Sequence, residues 1–128
     1  IEVVQQPCPL LAGAIEAGAA KDRLRALVGE YTAEMMAGLG GRRPDSVILG
    51  CTHYPLVADI FAETLPAGTP IIHQPETTAA ALVPYLQRHP EYAVGRNGLR
   101  RFLSTGYAPD ALGLIEKFWG GKLDFETA

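Results

Sequence analysis

A chain of 128 residues is long enough for one ordinary domain with a real core. Hydrophobic residues make up 48% and charged residues 20%, and the net charge is -3, so nothing in the balance favours nucleic acid or an anionic membrane as partner. No uninterrupted apolar stretch approaches the roughly 18 residues of a membrane span, and residues 1–20, with Glu2, Pro7, Pro9 and Glu16 and no basic start, do not read as a secretory signal.

In chain order, residues 1–5 are β-branched and extended in character. Residues 10–18 read as irregular or a short helix. Over 22–39, Leu24, Leu27, Val28, Tyr31, Met35, Met36 and Leu39 recur on one face of an amphipathic helix, and Gly40-Gly41 ends it. A loop, Arg42-Arg43-Pro44-Asp45, leads into a strand over 46–50. A helix is predicted over 55–65, with Pro55 suited to its first turn. A short strand follows over 69–73. The helix over 76–88 carries Ala79, Leu82, Val83 and Leu86 as its buried stripe, and Pro84 predicts a kink or an early end. Residues 89–97 read as polar loop, 99–105 as strand, and 109–119 as a last helix closed by Gly120-Gly121. This alternation of strand and helix predicts an α/β fold, a parallel sheet with flanking helices. Ligands of such sheets bind beyond the carboxyl ends of the strands.

Cys51 sits at such an end, in Gly50-Cys51-Thr52-His53-Tyr54-Pro55-Leu56. A thiol there, facing the amino end of the next helix, can ionise more easily and share its space with a carboxylate. Thr52 adds a hydroxyl donor, and His53 can tune the thiol or shuttle a proton. Against this stands the ordinary fate of a cysteine, which is to be buried and inert. A Cys–His hydrolase dyad is disfavoured, because residues two apart do not share a helix face. Two distant cysteines and three scattered histidines lack zinc spacing, so no metal is expected. Cys8 and Cys51 are expected to be reduced, in a cytoplasmic protein. Cys8 itself reads as structural and His73 as a strand-end surface residue. The chain opens at Ile1, partway into a strand-like stretch, and is expected to be a piece of something longer.

The Cys51 motif resembles the second cysteine motif of bacterial glutamate racemases. Cys8-Pro9-Leu10-Leu11, followed by Ile15-Glu16-Ala17-Gly18, resembles the same family at the expected distance upstream, and the likeness continues through 71–81 and 102–121. The resemblance implies cofactor-independent interconversion of L- and D-glutamate, by two cysteines that face each other across Cα. It makes Cys51 one of those bases, lets Thr52 and His53 hold the substrate and assist the thiol, and makes Glu16 the acidic residue supporting His53. Glu16 taken alone would read as a solvated helix residue. The histidine after Cys-Thr implies glutamate rather than aspartate as substrate. The family's other cysteine lies in a Cys-Asn-Thr motif that is absent from residues 1–128, as are its early Asp-Ser contacts.

The resemblance therefore covers the second half of the family only. It implies one lobe of a two-lobed racemase over 1–94, and over 95–128 a C-terminal return that packs on the first lobe. A glutamate racemase fragment serving peptidoglycan synthesis, inactive alone and compatible with a homodimer, is the leading reading. Two alternatives remain open: a one-cysteine relative of the decarboxylase type, and a non-catalytic α/β module that binds a carboxylate at Cys51.

Overall fold

The computed structural model describes residues 1–92, 101–105, 115–116 and 119–128. Its contacts form two compact units, Ile1–Ala79 and Ala80–Ala128. The boundary expected between 94 and 95 lies outside the described residues.

In the first unit α1 is Leu11–Glu16 and α2 is Lys21–Gly38. The apolar face read from the sequence of α2 is the face it buries, through Leu27, Val28 and Tyr31. The helix ends in a Schellman turn: Gly40 N–H donates to Ala37 O at 2.9 Å and Gly41 N–H to Met36 O at 3.4 Å. Gly40 holds φ at 61°, where a side chain would be strained. Strand β1, Val47–Leu49, pairs in parallel with β2, Ile71–His73, in the register Val47↔Ile71, Ile48↔Ile72, Leu49↔His73. Parallel pairing needs a crossover, and here it is a 3-10 turn, Tyr54–Val57, followed by α3, Ala58–Thr64. The core gathers Leu11 and Ile15 of α1, the α2 face, Leu49, and Val57, Ile60, Phe61 and Leu65 around α3. Inside it the Thr32 hydroxyl donates to Val28 O at 2.5 Å and lies 3.1 Å from the Thr64 hydroxyl, so the one buried polar residue of α2 is satisfied.

Residues 1–5 are not in a strand. They belong to a segment that lies along α2 in the opposite direction. Glu2 makes a two-pronged ion pair with Arg42 at 2.6 and 2.7 Å, Val4 packs beside Gly38, and Gln6 bonds Glu34 at 2.6 Å. Two residues of this segment match four of α2, the ratio for extended chain at ~3.3 Å per residue against helix at ~1.5 Å. The chain is therefore extended here, as its composition predicts, yet it has no ladder neighbour among the described residues.

Helix α4, Gln74–Arg88, passes through Pro84 without ending there, at the loss of one amide donor. Its predicted stripe is not buried: Leu82 and Val83 are about half exposed and Ala79 is exposed. An amphipathic pattern states which face wants cover, and supplies none itself. In the second unit β3, Phe102–Ser104, pairs in parallel with β4, Phe125–Thr127. Phe102 packs edge-on to Trp119, and Arg101 pairs with Glu126 at 2.5 Å. The strand at 125–127 has no counterpart in the sequence reading. The helix predicted over 109–119 lies mostly outside the described residues.

Candidate active site

The carboxyl end of β1 delivers Gly50 and Cys51 into a turn before any helix begins, because Pro55 shapes a 3-10 turn rather than a full α-helix. Tyr54 N–H donates to Cys51 O at 3.2 Å and Leu56 N–H to His53 O at 3.1 Å. Those amides are taken up within the turn, Pro55 has none, and α3 begins only at Ala58 with seven residues. The electrostatic help expected from a helix amino end is accordingly small.

The turn does something else. It folds His53 back so that its Nδ1 lies 3.6 Å from Cys51 Sγ. The objection that residues two apart cannot meet holds for a helix and fails here, since 51–53 are not helical. On the other side of the ring, His53 Nε2 lies 2.8 Å from Glu16 Oε1, at the last residue of α1. Glu16 is about half exposed and His53 one-fifth. A carboxylate accepts only, so Nε2 donates to Glu16, and the tautomer with Nδ1 unprotonated turns that lone pair toward the thiol. The line Glu16–His53–Cys51 can thus take the thiol proton and stabilise the resulting imidazolium beside the thiolate. Thr52, within the same turn, is exposed.

Cys8 has a different environment. Its thiol points to Gln6 O at 3.7 Å, and burial pushes its pKa up, with Glu34 and Cys51 adding to the rise against a lowering contribution from Tyr54. Tyr54 links the two cysteine segments: its hydroxyl donates to Cys8 O at 3.3 Å and its ring packs against Phe61. Burial, then the neighbouring Cys8 and Cys51, push the Tyr54 hydroxyl up to about 12. Sequence reasoning missed this role, because nothing in the motif names a partner 46 residues away. His73, expected at the surface, is half-buried, and its Nδ1 is enclosed. Cys51 also borders a cavity of about 850 Å³ beside β1. Among the described residues no cluster of His, Cys, Asp and Glu could hold a metal ion, and no helix is long and apolar enough to cross a membrane.

Fold and site together define a class: a parallel α/β lobe that presents a histidine-backed thiol at a strand's carboxyl end. No family model matches the chain. Curated relatives are more specific. The chain is 53% identical over 128 residues to the glutamate racemase of Phenylobacterium zucineum, and 50% identical to that of a Caulobacter species, in each case over all of this chain and 45% of the relative. The glutamate racemase isoform RacE1 of Bacillus anthracis superimposes with a TM-score of 0.74 at 28% identity, covering 96% of this chain and 45% of that one. The Francisella tularensis glutamate racemase, solved in complex with D-glutamate, has the same fold, with a TM-score of 0.83 at 24% identity over all of this chain and 47% of its own. Over its whole length, then, this chain is similar to glutamate racemases, and it spans about 45% of the length of the relatives it matches.

Proposed function

We propose that this chain is the C-terminal portion of a glutamate racemase and supplies one of its two acid–base faces. The observation that carries the reading is the Glu16–His53–Cys51 line, 2.8 and 3.6 Å long, at the carboxyl end of β1. Cys51 as thiolate takes the proton from Cα of glutamate. The Cα–H electron pair passes into the substrate carboxylate, and the proton ends on Sγ. A thiol from the remaining portion returns a proton to the opposite face, and the enantiomer forms without a cofactor. His53 receives the Cys51 proton before each turnover, Glu16 holds the ring, and Thr52 contacts the substrate. The product D-glutamate would serve peptidoglycan synthesis in the cytoplasm. One lobe holds one face of the carbon only, so residues 1–128 alone are inactive in this reading.

The test is exchange of the glutamate α-hydrogen in D₂O. This chain is joined to the part of the Phenylobacterium relative that it does not match, and is also assayed alone. The joined protein is expected to exchange and racemise, its Cys51→Ala variant to do neither, and the chain alone to be inert. Racemisation by residues 1–128 alone, or retention of most activity by Cys51→Ala, would overturn the proposal.

A further inference from the structure

Helix α1 is six residues long and carries the carboxylate of the site at its end. A helix that short does not hold itself in place. Leu10, just before it, offers no capping side chain, and its first turn has no acidic residue. Two phenolic hydroxyls from elsewhere in the fold meet its start instead. Leu10 N–H donates to the Tyr31 hydroxyl of α2 at 3.4 Å, and the Tyr54 hydroxyl donates to Cys8 O at 3.3 Å. Cys8 O also accepts from Leu11 N–H at 3.2 Å, so the second bond grips the turn that opens the helix. Burial above all pushes the Tyr54 hydroxyl up to about 12, so it stays a donor at neutral pH. At the far end Gly18, with φ at 65°, follows the helix, and Glu16 reaches His53 Nε2 at 2.8 Å. His53 and Tyr54 are neighbours in the chain. One turn therefore holds both ends of one helix, Tyr54 its start and His53 its finish.

We infer that Tyr31 and Tyr54 are positioning residues of the relay: their hydroxyls set where α1 lies along its axis, and so hold Glu16 against His53. The inference rests on the acid–base role proposed for Cys51 and adds two residues to it. Leu11 and Ile15 are buried and fix how deep α1 sits in the core, but apolar contact is non-directional and resists sliding weakly. Hydrogen bonds are directional, and a displacement of about 1 Å takes the 2.8 Å contact of Glu16 out of range. At ~1.5 Å per residue α1 is only ~9 Å long, so a shift at its start arrives at Glu16 almost undiminished. Both hydroxyls ride on rings that the core holds still. Tyr31 is 8% exposed, and the Tyr54 ring packs on Phe61 with centroids 5.9 Å apart. The two tyrosines thus act on Cys51 through Glu16 and His53.

Tyr31→Phe and Tyr54→Phe each remove one hydroxyl and keep the ring. The protein joined to the non-matching part of the Phenylobacterium relative is alkylated with iodoacetamide, and the rate at Cys51 is read by peptide mass spectrometry. Each variant is expected to slow Cys51 about twofold, and the two together about as much as Glu16→Gln. In a Glu16→Gln background neither is expected to slow it further, because the carboxylate they position is gone. Thr32→Val is the control: its hydroxyl is buried on the same helix as Tyr31 but meets Val28 O and Thr64. It is expected to lower the urea midpoint and to leave the Cys51 rate unchanged. In glutamate turnover the tyrosine variants are expected to lower kcat by about twofold at an unchanged KM. The inference is overturned if they leave Cys51 unchanged, if their effects multiply with that of Glu16→Gln, if only KM moves, or if Thr32→Val slows Cys51 equally. Racemisation by the joined protein with multiplying effects would remove the tyrosine clamp and leave the catalytic proposal standing. The coupled alkylation pattern without racemisation would do the reverse.

Discussion

Replacing Glu16 by glutamine tests whether the carboxylate reaches Cys51 through His53. The change keeps shape and an accepting oxygen but removes the charge opposite the imidazolium. A hydrogen bond to a charged group contributes about 1.5–3 kcal/mol when shielded and a neutral one about 0.5–1.5 kcal/mol. Glu16 is 53% exposed, so solvent screening reduces the difference to about 0.5–1 kcal/mol. In the proposed relay the Glu16 charge stabilises the imidazolium that forms as His53 takes the Cys51 proton, and the glutamine does so less well. Alkylation of Cys51 by iodoacetamide at fixed pH should therefore slow about two- to fivefold. Cys8, bonded elsewhere, is the internal reference in the same sample, read by peptide mass spectrometry. An unchanged Cys51 rate would refute the relay. An equal slowing at Cys8 would show a general loss of structure instead.

Two further outcomes follow from the packing. Leu49 is 2% exposed, at the end of the strand that delivers Cys51, so Leu49→Ala should cost about 2–5 kcal/mol and lower the urea midpoint by about 1 M or more at a slope of about 1–3 kcal/mol/M; a shift within error would place Leu49 outside the core. Cys8 and Tyr54 both ionise less readily in the folded chain than at their ordinary values of 9.0 and 10.0. The native state then holds more protons than the unfolded one, and the stability they contribute is full below pH 9 and lost as pH rises toward about 12. Urea midpoints should fall over that range, and Tyr54→Phe should flatten the part above pH 10. A parent midpoint that stays constant from pH 9 to 12 would contradict the linkage.

The local elements were legible because their signals are local. The apolar spacing of α2, the paired glycines that end it, and the β-branched run before Cys51 all act within a few residues, and each element stands close to where it was read. Cys51 at a strand end followed from the same kind of signal. Three things needed the tertiary structure. Whether residues 1–5 form a strand depends on a ladder neighbour, which no local pattern supplies. The stripe of α4 stated a need for cover without stating what would meet it. The Cys51–His53 contact depended on how the chain turns between β1 and the 3-10 turn, and its third member, Glu16, comes from α1 thirty-five positions before Cys51. Sequence sets which groups are available and how each short stretch bends. Which groups meet is decided by packing between segments far apart in the chain, and the alignment of carboxylate, imidazole and thiol belongs to that second category.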